Sequence, residues 1–371
     1  MKIGTDQYNT FDTMTMDCWN DRVYYEGKEF PAGHFAAEIL NFAGAIPDPL
    51  LERITVLTAL VDDLSTAEKS KRHDIAAQLK PLLYDTVSWI YTCPPFCYCE
   101  SQSAYENLEH ALSEERLDQD YEEEEAHFLY LALSVCEPIL RILVAIYNFC
   151  LLIRAFEMKY LRRLKRRNAD AFAKAAHECF DEDDSFLILL EQMPFGEVEE
   201  FFSYPRVVTG FKYFQDENDE KKWKTAQRVI CKRAIDFYVF DLMNGLHHGH
   251  APSQCQGCGR YFLTTNGHIP KYCDGVAPQD DRYTCRQYGA MMHQKEQNKQ
   301  HPVYRLFNTR TGTIRKHHQR GKISDDLRQE ALYLAESYRD KALMDNDYAA
   351  DGYARDMELE HIYAEAEKRL K

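Results

Sequence analysis

Four cysteines in the C-terminal half constrain the fold of this chain more than any other feature. They follow the pattern C-x2-C-x14-C-x11-C, with Cys255, Cys258, Cys273 and Cys285 at the four positions. The two-residue spacing of the first pair lets both sulfurs reach one ion across a tight turn. Four thiolates suit tetrahedral Zn²⁺, which can hold together a segment too small for its own hydrophobic core. The pattern therefore predicts a structural Zn²⁺ site with these four ligands.

The second pair is the weaker half of the pattern, because the eleven residues between Cys273 and Cys285 do not form a second two-residue knuckle. His268 is the alternative fourth ligand if Cys285 lies too far away. Four cysteine ligands leave no coordination position open for water or substrate, whereas a catalytic zinc needs one. We therefore expect zinc to have a structural role.

Motifs for catalysis give no competing interpretation. The sequence contains no phosphate-binding glycine-rich loop, no G-x-S-x-G elbow and no H-E-x-x-H helix. His317 and Arg320 match the H-x-x-R element of tyrosine recombinases, and Tyr353 lies downstream as a nucleophile would. The further cations and the histidine or tryptophan that this chemistry requires have no counterpart between them. We expect a protein that is not an enzyme.

The remaining cysteines are expected to be reduced. The chain holds twelve cysteines, and its N-terminus lacks the basic and apolar regions of a secretory signal, which favours the cytoplasm. The motif "CPPFCYC" could bind metal, but no second pair lies at a suitable spacing, and a loop after a helix is the preferred interpretation. Small buried positions in helices are predicted for Cys136, Cys150, Cys179 and Cys231.

The overall pattern predicts a mainly α fold. A multi-helix N-terminal region, with a short β-hairpin in "TMTMDCW" and "RVYYEG", precedes a small zinc knuckle and C-terminal helices. We expect an acidic helical domain over 1–250, a zinc finger over 251–290, and a basic segment with helices over 291–371.

Individual helices follow from apolar spacing. One helix is expected to bury Leu50, Ile54, Leu57, Val61 and Leu64, and a further helix is expected from about Trp223 to Leu246. The apolar stretch that starts at Phe128 is interrupted by charged residues and proline, which favours a core helix over a membrane span. The last charged helix, "MELEHIYAEAEKRL", is expected to lie at the surface or fray.

Charge is distributed unevenly along the chain. The segment from Cys255 to Lys322 has twelve Lys and Arg against four acids, a net charge of +8, so the rest of the −15 chain carries −23. Such asymmetry is typical of a protein that contacts phosphates. We expect the basic segment, 286–322, to bind nucleic acid through seven cations: Arg286, Lys295, Arg305, Arg310, Arg315, Lys316 and Arg320. The alternative is a protein-interaction or scaffold protein, in which the zinc finger is architectural and docks on the acidic helical body.

The stretches "CQGCGRYF", "KYCDG" and "TCRQYGA" resemble the zinc-finger region of an uncharacterised family of bacterial proteins, mostly from firmicutes, that is classified as a domain of unknown function. They are more distantly similar to the CGNR-type zinc finger. The resemblance covers about Cys255 to Asp340 and implies that the four cysteines are the metal ligands. Arg286, Gln287 and Tyr288 stand where the CGNR finger has Gly-Asn-Arg, so the resemblance does not carry DNA binding over. The closer family has no established activity.

Overall fold

The computed structural model describes residues 13–43, 49–118, 125–186, 205–216, 219–267 and 270–370. The chain divides into two compact units, residues 1–271 (the first unit) and 272–371 (the second unit). The described residues are mainly helical, as predicted, with strands near the N-terminus, over residues 207–231 and around the cysteines. The three-domain division stays a prediction, and His268 lies outside the described residues.

The first unit contains a five-stranded antiparallel sheet of order β3-β2-β1-β5-β4. Its strands are β1 (Met14–Trp19), β2 (Arg22–Tyr25), β3 (Lys28–Pro31), β4 (Val207–Asp216) and β5 (Asp219–Cys231). The predicted N-terminal hairpin is confirmed, since β1 pairs with β2. The helix predicted from Trp223 is wrong over its first part, because this residue lies in β5. Strand β5 lies between β1 and β4, and its backbone forms hydrogen bonds with both of these strands. The helix therefore begins only at Ala234.

Helices make up most of the first unit. They are α1 (His34–Glu38), α2 (Pro49–Thr66), α3 (Lys69–Ile90), α4 (Gln102–Ala111), α5 (Glu114–Leu117), α6 (Glu125–Lys159), α7 (Ala169–Phe180) and α8 (Ala234–His247). Helix α2 buries the five predicted apolar residues, from Leu50 to Leu64. This agreement follows from the one-turn spacing of these residues, which places them on a single face of the helix.

Helix α6 carries the most apolar stretch among the described residues. The segment Ser134–Arg163 is long and apolar enough to cross a membrane by length and composition, and its most apolar window has a mean hydropathy of 2.0. However, 61% of its most apolar window is buried inside the protein, and Phe149 and Phe156 are fully buried in the first-unit core. The helix contacts α2 and α8. The location of the protein in the cell stays a prediction.

Helices α1 and α8 approach each other closely at two glycines. A Cβ atom on Gly245 would lie 2.8 Å from the Cα atom of Gly33 and 3.2 Å from the carbonyl oxygen of Ala32. The buried carboxylate of Asp241 in α8 accepts hydrogen bonds from the backbone N–H groups of Gly33 and Ala36, both at 2.9 Å. These bonds satisfy donors at the start of α1 and fix the two helices together.

Two short hairpins surround the four cysteines, and helices follow. The strands are β6 (Ala251–Gln254), β7 (Tyr261–Thr264), β8 (Val276–Ala277) and β9 (Asp280–Thr284). The helices of the second unit are α9 (Cys285–Gln300), α10 (Pro302–Gln319), α11 (Asp325–Met344), α12 (Tyr353–Asp356) and α13 (Leu359–Leu370).

The second unit has a separate apolar core. Ile314 of α10 and Leu334 of α11 are buried in it. Ile362 and Ala366 of α13 are also fully buried, so the expectation that the last helix is a surface or fraying element is wrong. Its apolar stripe is narrow, but α11 packs along it and covers it. The last helix therefore completes this core.

Candidate metal centre

The turn between β6 and β7 presents the first two cysteines. Strand pairing ends at Gln254 and Tyr261, and the N–H of Cys255 donates to the carbonyl of Arg260 at 2.9 Å. Gly259 donates to the carbonyl of Cys255 at 2.9 Å and has φ 74°, in the left-handed region that favours glycine. The turn is therefore closed by its own backbone and directs both cysteines to one side.

The first unit holds strand β7 firmly. The amide side chain of Asn41 accepts a hydrogen bond from the N–H of Tyr261 at 2.7 Å and donates to its carbonyl at 3.0 Å. The guanidinium of Arg154 lies 5.4 Å from the centre of the Tyr261 ring. Because β7 directly follows the turn, these contacts limit the positions that Cys255 and Cys258 can take.

The start of α9 presents the last cysteine. Thr284 caps the helix: its hydroxyl accepts from the N–H of Gln287 at 3.2 Å, and the Gln287 side chain accepts from the N–H of Thr284 at 3.0 Å. Cys285, the first residue of α9, donates its N–H to the carbonyl of Gly275 at 2.8 Å, and Arg286 donates to Cys273 at 3.0 Å. The backbone bonds thus tie the two cysteine segments together.

The four predicted cysteines form one cluster. Their Sγ atoms all lie within 4.8 Å of one another. A tetrahedral ion with bonds of about 2.3 Å to sulfur would place them roughly 3.8 Å apart, which is within this limit. Cys255 and Cys285 are each 2% exposed, Cys273 is 8% exposed and Cys258 is partly exposed. Across the described residues, no other group of three or more His, Cys, Asp or Glu side chains meets the same criterion.

The "CPPFCYC" motif has the properties of a loop after a helix. It follows the end of α3, and the buried Cys93 thiol donates to the carbonyl of Trp89 at 3.4 Å. Burial raises the pKa of Cys93 to about 12, which keeps the thiol protonated. The Cys99 sulfur lies 3.2 Å from the Tyr25 hydroxyl. Elsewhere in the described chain, Cys136, Cys150 and Cys179 are buried in helices, as predicted. Cys231 is buried too, but its predicted helical position is wrong, because it ends strand β5.

The seven predicted phosphate-contacting cations lie in different environments. Arg286 forms an ion pair with Asp274 at 3.0 Å. Arg310 is partly buried, and its Nε has no hydrogen-bond partner among the described residues. Lys295 is exposed on α9. Arg286 and Lys295 thus lie on α9, and Arg310 is not fully exposed.

The other four cations share one face of α10, which we call the α10 basic face. Arg305, Arg315, Lys316 and Arg320 are exposed, and no ion pair involves them in the described structure. Arg320 caps the helix end. Arg305 and Lys316 are eleven residues apart, about three helical turns, so they lie on the same side. The helix itself contains no acidic residue. The opposite face packs in the second-unit core through Val303 and Ile314, which explains why the cations point to solvent.

The sequence interpretation missed an exposed aromatic surface on the β4–β5 hairpin. Phe211 is 71% exposed, and Tyr213 and Trp223 are each 68% exposed. Trp223 pairs with Gln215, so all three rings lie on the same face of the hairpin. The two-residue spacing in "FKY" was the available signal, but exposure depends on what covers the sheet.

Together, the fold and the cluster define a mainly helical protein with a four-cysteine group that could hold a metal ion. Residues 203–369 match the model of a family of unknown function, DUF6076. The match extends beyond Cys255 to Asp340, the range of the sequence resemblance, in both directions. No curated protein and no solved structure shows significant similarity to the chain. The firmicute origin and the likeness to the CGNR finger stay predictions.

Proposed function

We propose that this is a nonenzymatic, cytoplasmic nucleic-acid-binding protein with a structural zinc site formed by four cysteines, and that α10 contacts phosphates. The observation that carries the proposal is the α10 basic face. Four exposed cations extend along it from Arg305 to Arg320, a length of about 22 Å. Since no acidic residue of α10 neutralises them, a polyanion is the complementary partner.

The neutral residues between the cations support the same function. Asn308, Thr309 and Gln319 are exposed on the α10 basic face. The two amide side chains can donate and accept hydrogen bonds, whereas the Thr309 hydroxyl donates to the carbonyl of Arg305 at 2.8 Å and can still accept. Backbone phosphates, sugars and base edges all accept or donate such bonds. Charge repulsion between copies of the protein would not require these neutral hydrogen-bonding side chains.

Zinc is the ion that best suits the cluster. Four thiolates in a tetrahedral arrangement are typical of Zn²⁺ or of an iron–sulfur site. Zn²⁺ bound by four cysteines is structural, which agrees with the backbone bonds that close both cysteine segments. The ion would fix Cys285, and thereby the first turn of α9, which contacts α10.

A salt titration of nucleic-acid affinity tests the binding proposal. The zinc-loaded full chain is titrated against mixed-sequence DNA and RNA by fluorescence anisotropy. If the four cations each neutralise one phosphate, the logarithm of the association constant falls with the logarithm of salt with a slope of about −3.6 for duplex DNA. Replacing Arg315, Lys316 and Arg320 by Gln should reduce this slope to about −0.9.

A second basic run supplies the matched control. Arg163, Lys165 and Arg166 are exposed in the first unit, and changing them to Gln removes the same charge. The control should keep the wild-type slope. If both triple variants lose affinity equally, binding is a response to net charge and α10 is not the site. If no nucleic acid binds at low salt, the scaffold alternative replaces the proposal.

Metal analysis tests the zinc site. The purified protein should contain one Zn²⁺ per chain, and Cys258→Ser should lose it. Cys97→Ser changes an exposed cysteine outside the cluster and should keep the metal. Iron in place of zinc, or full zinc in Cys258→Ser, would contradict the assignment.

A further inference from the structure

Two rows of residues on the α10 basic face suggest which nucleic acid the helix contacts. One row contains Arg305, Thr309, Gly312, Lys316 and Arg320, at spacings of three or four residues. The neighbouring row contains Asn308, Arg315 and Gln319. Cations therefore lie at both ends of the face and on its side, and small or neutral polar residues occupy the middle.

From this arrangement we infer that α10 enters the major groove of duplex DNA, an inference that rests on the proposed function. An α-helix with side chains is roughly 10–12 Å wide, and the major groove of B-DNA is about 12 Å wide. The cations at the ends and side of the face would contact phosphates. Asn308, Thr309 and Gln319 would face base edges, because amide and hydroxyl groups form the hydrogen bonds that read them.

Gly312 lies at the centre of this face. A Cβ atom placed on it would meet nothing within 4 Å, so the protein itself does not require glycine there. Glycine in the middle of a helix costs about 1 kcal/mol relative to alanine. Its useful property at this position is the lack of a side chain, which lets the helix backbone approach the floor of a groove.

Single-stranded nucleic acid fits this face less well. Binding to unpaired bases relies on exposed aromatic rings for stacking. All of α10 is described, and its two aromatic residues other than histidine, Tyr304 and Phe307, are only partly exposed. The guanidinium of Arg339 also lies over the Phe307 ring, 4.6 Å from the ring centre. The rings therefore belong to the packing side of the helix.

Double-stranded RNA is excluded by the shape of its grooves. The major groove of A-form RNA is deep and too narrow for side chains to read, and the minor groove is shallow. A helix that presents base-reading residues along its middle needs the wider groove of B-DNA. The inference is therefore specific to duplex DNA.

The test uses the metal-loaded full chain and three fluorescent probes of equal length and mixed sequence: duplex DNA, single-stranded DNA and duplex RNA. Wild type should bind duplex DNA about tenfold or more tightly than either other probe, a difference of about 1.4 kcal/mol. Gly312→Gln should weaken duplex DNA binding by a similar factor, because the new side chain occupies the centre of the face. Open space around Gly312 lets this variant fold, which circular dichroism checks.

Ser337→Gln is the matched control, since it lengthens an exposed side chain on α11 and should leave affinity unchanged. Equal affinity for duplex and single-stranded DNA, or wild-type affinity in Gly312→Gln, would overturn groove entry while phosphate binding by α10 stands. Absence of binding to all three probes would overturn both the inference and the proposed function. The two failures are therefore distinguishable.

Discussion

The close approach of α1 and α8 makes a prediction about Gly245 that opposes simple helix propensity. Alanine is favoured over glycine inside a helix by about 1 kcal/mol. In Gly245→Ala, however, the new methyl group would lie 2.8 Å from the Cα and 3.1 Å from the nitrogen of Gly33. Carbon atoms pack without strain at about 3.5–4.0 Å, so the two backbones must separate by roughly 1 Å.

The energy of that separation can be bounded. Overpacking costs about 1–3 kcal/mol, and here the obstacle is backbone, which cannot rotate away as a side chain can. Separation also stretches the hydrogen bonds of Asp241 to Gly33 and Ala36, and bonds to a charged group are worth about 1.5–3 kcal/mol each. After the gain in propensity, Gly245→Ala should lower the free energy of unfolding by about 2–4 kcal/mol.

Gly312 is the matched control, because it also lies inside a helix but has open space around its Cβ position. Gly312→Ala should raise the free energy of unfolding by about 1 kcal/mol. Urea unfolding of both variants, followed by circular dichroism, measures the difference. If Gly245→Ala is as stable as wild type, or if both variants shift in the same direction, the argument from backbone contact is refuted.

Two further predictions concern buried polar groups. The Tyr238 hydroxyl donates to the buried carbonyl of Pro94 at 2.6 Å, so Tyr238→Phe should lower the free energy of unfolding in urea by about 1–3 kcal/mol. The control is Tyr333→Phe, at a residue that is 60% exposed, which should change that free energy by less than about 0.5 kcal/mol. Equal effects of the two variants would contradict this reasoning. Burial raises the pKa of Asp241 to about 6 despite its backbone hydrogen bonds, so the folded protein holds a proton that the unfolded chain has released between pH 4 and pH 6. The stability of wild type relative to Asp241→Asn should therefore fall by up to about 3 kcal/mol from pH 4 to pH 7, and a constant or rising difference would show that this carboxyl has no raised pKa.

The spacing of residues within short segments predicted helix α2 and the cysteine cluster. Residues from Leu50 to Leu64 recur once per turn, and their burial on one face of α2 follows directly from that period. The cysteine cluster was predictable for a similar reason, because the spacing from Cys255 to Cys258 suits a single ion. The α2 pattern and the first cysteine pair both lie within short stretches of chain.

Pairing between distant segments was not predictable in the same way. Ala226, Val229 and Ile230 fit a helical period, yet they lie in β5, which pairs with β1 some two hundred residues earlier. The helix-like spacing carries no information about that partner. Tertiary pairing, with Cys18 opposite Gln227, decides the structure of the segment.

Net charge alone could not show which of the seven cations are exposed and outside ion pairs. The sequence shows that Arg286 and Arg310 are basic, but only the structure shows the Asp274 partner of one and the partial burial of the other. The spacing of Arg305 and Lys316 did contain the missing signal, because residues eleven apart share a helix face. Helix boundaries had to be known before that spacing could be used.

The pairing of β5 with β1 bears on how far the matched region can be treated as an independent protein. The match to the family model begins at residue 203, whereas β1 (Met14–Trp19) and Gly33 lie well before it. A fragment that starts at residue 203 would leave one edge of β5 open to pairing with any other strand, and would uncover the part of α8 that contacts Gly33. Expression of residues 203–369 alone should therefore give aggregates.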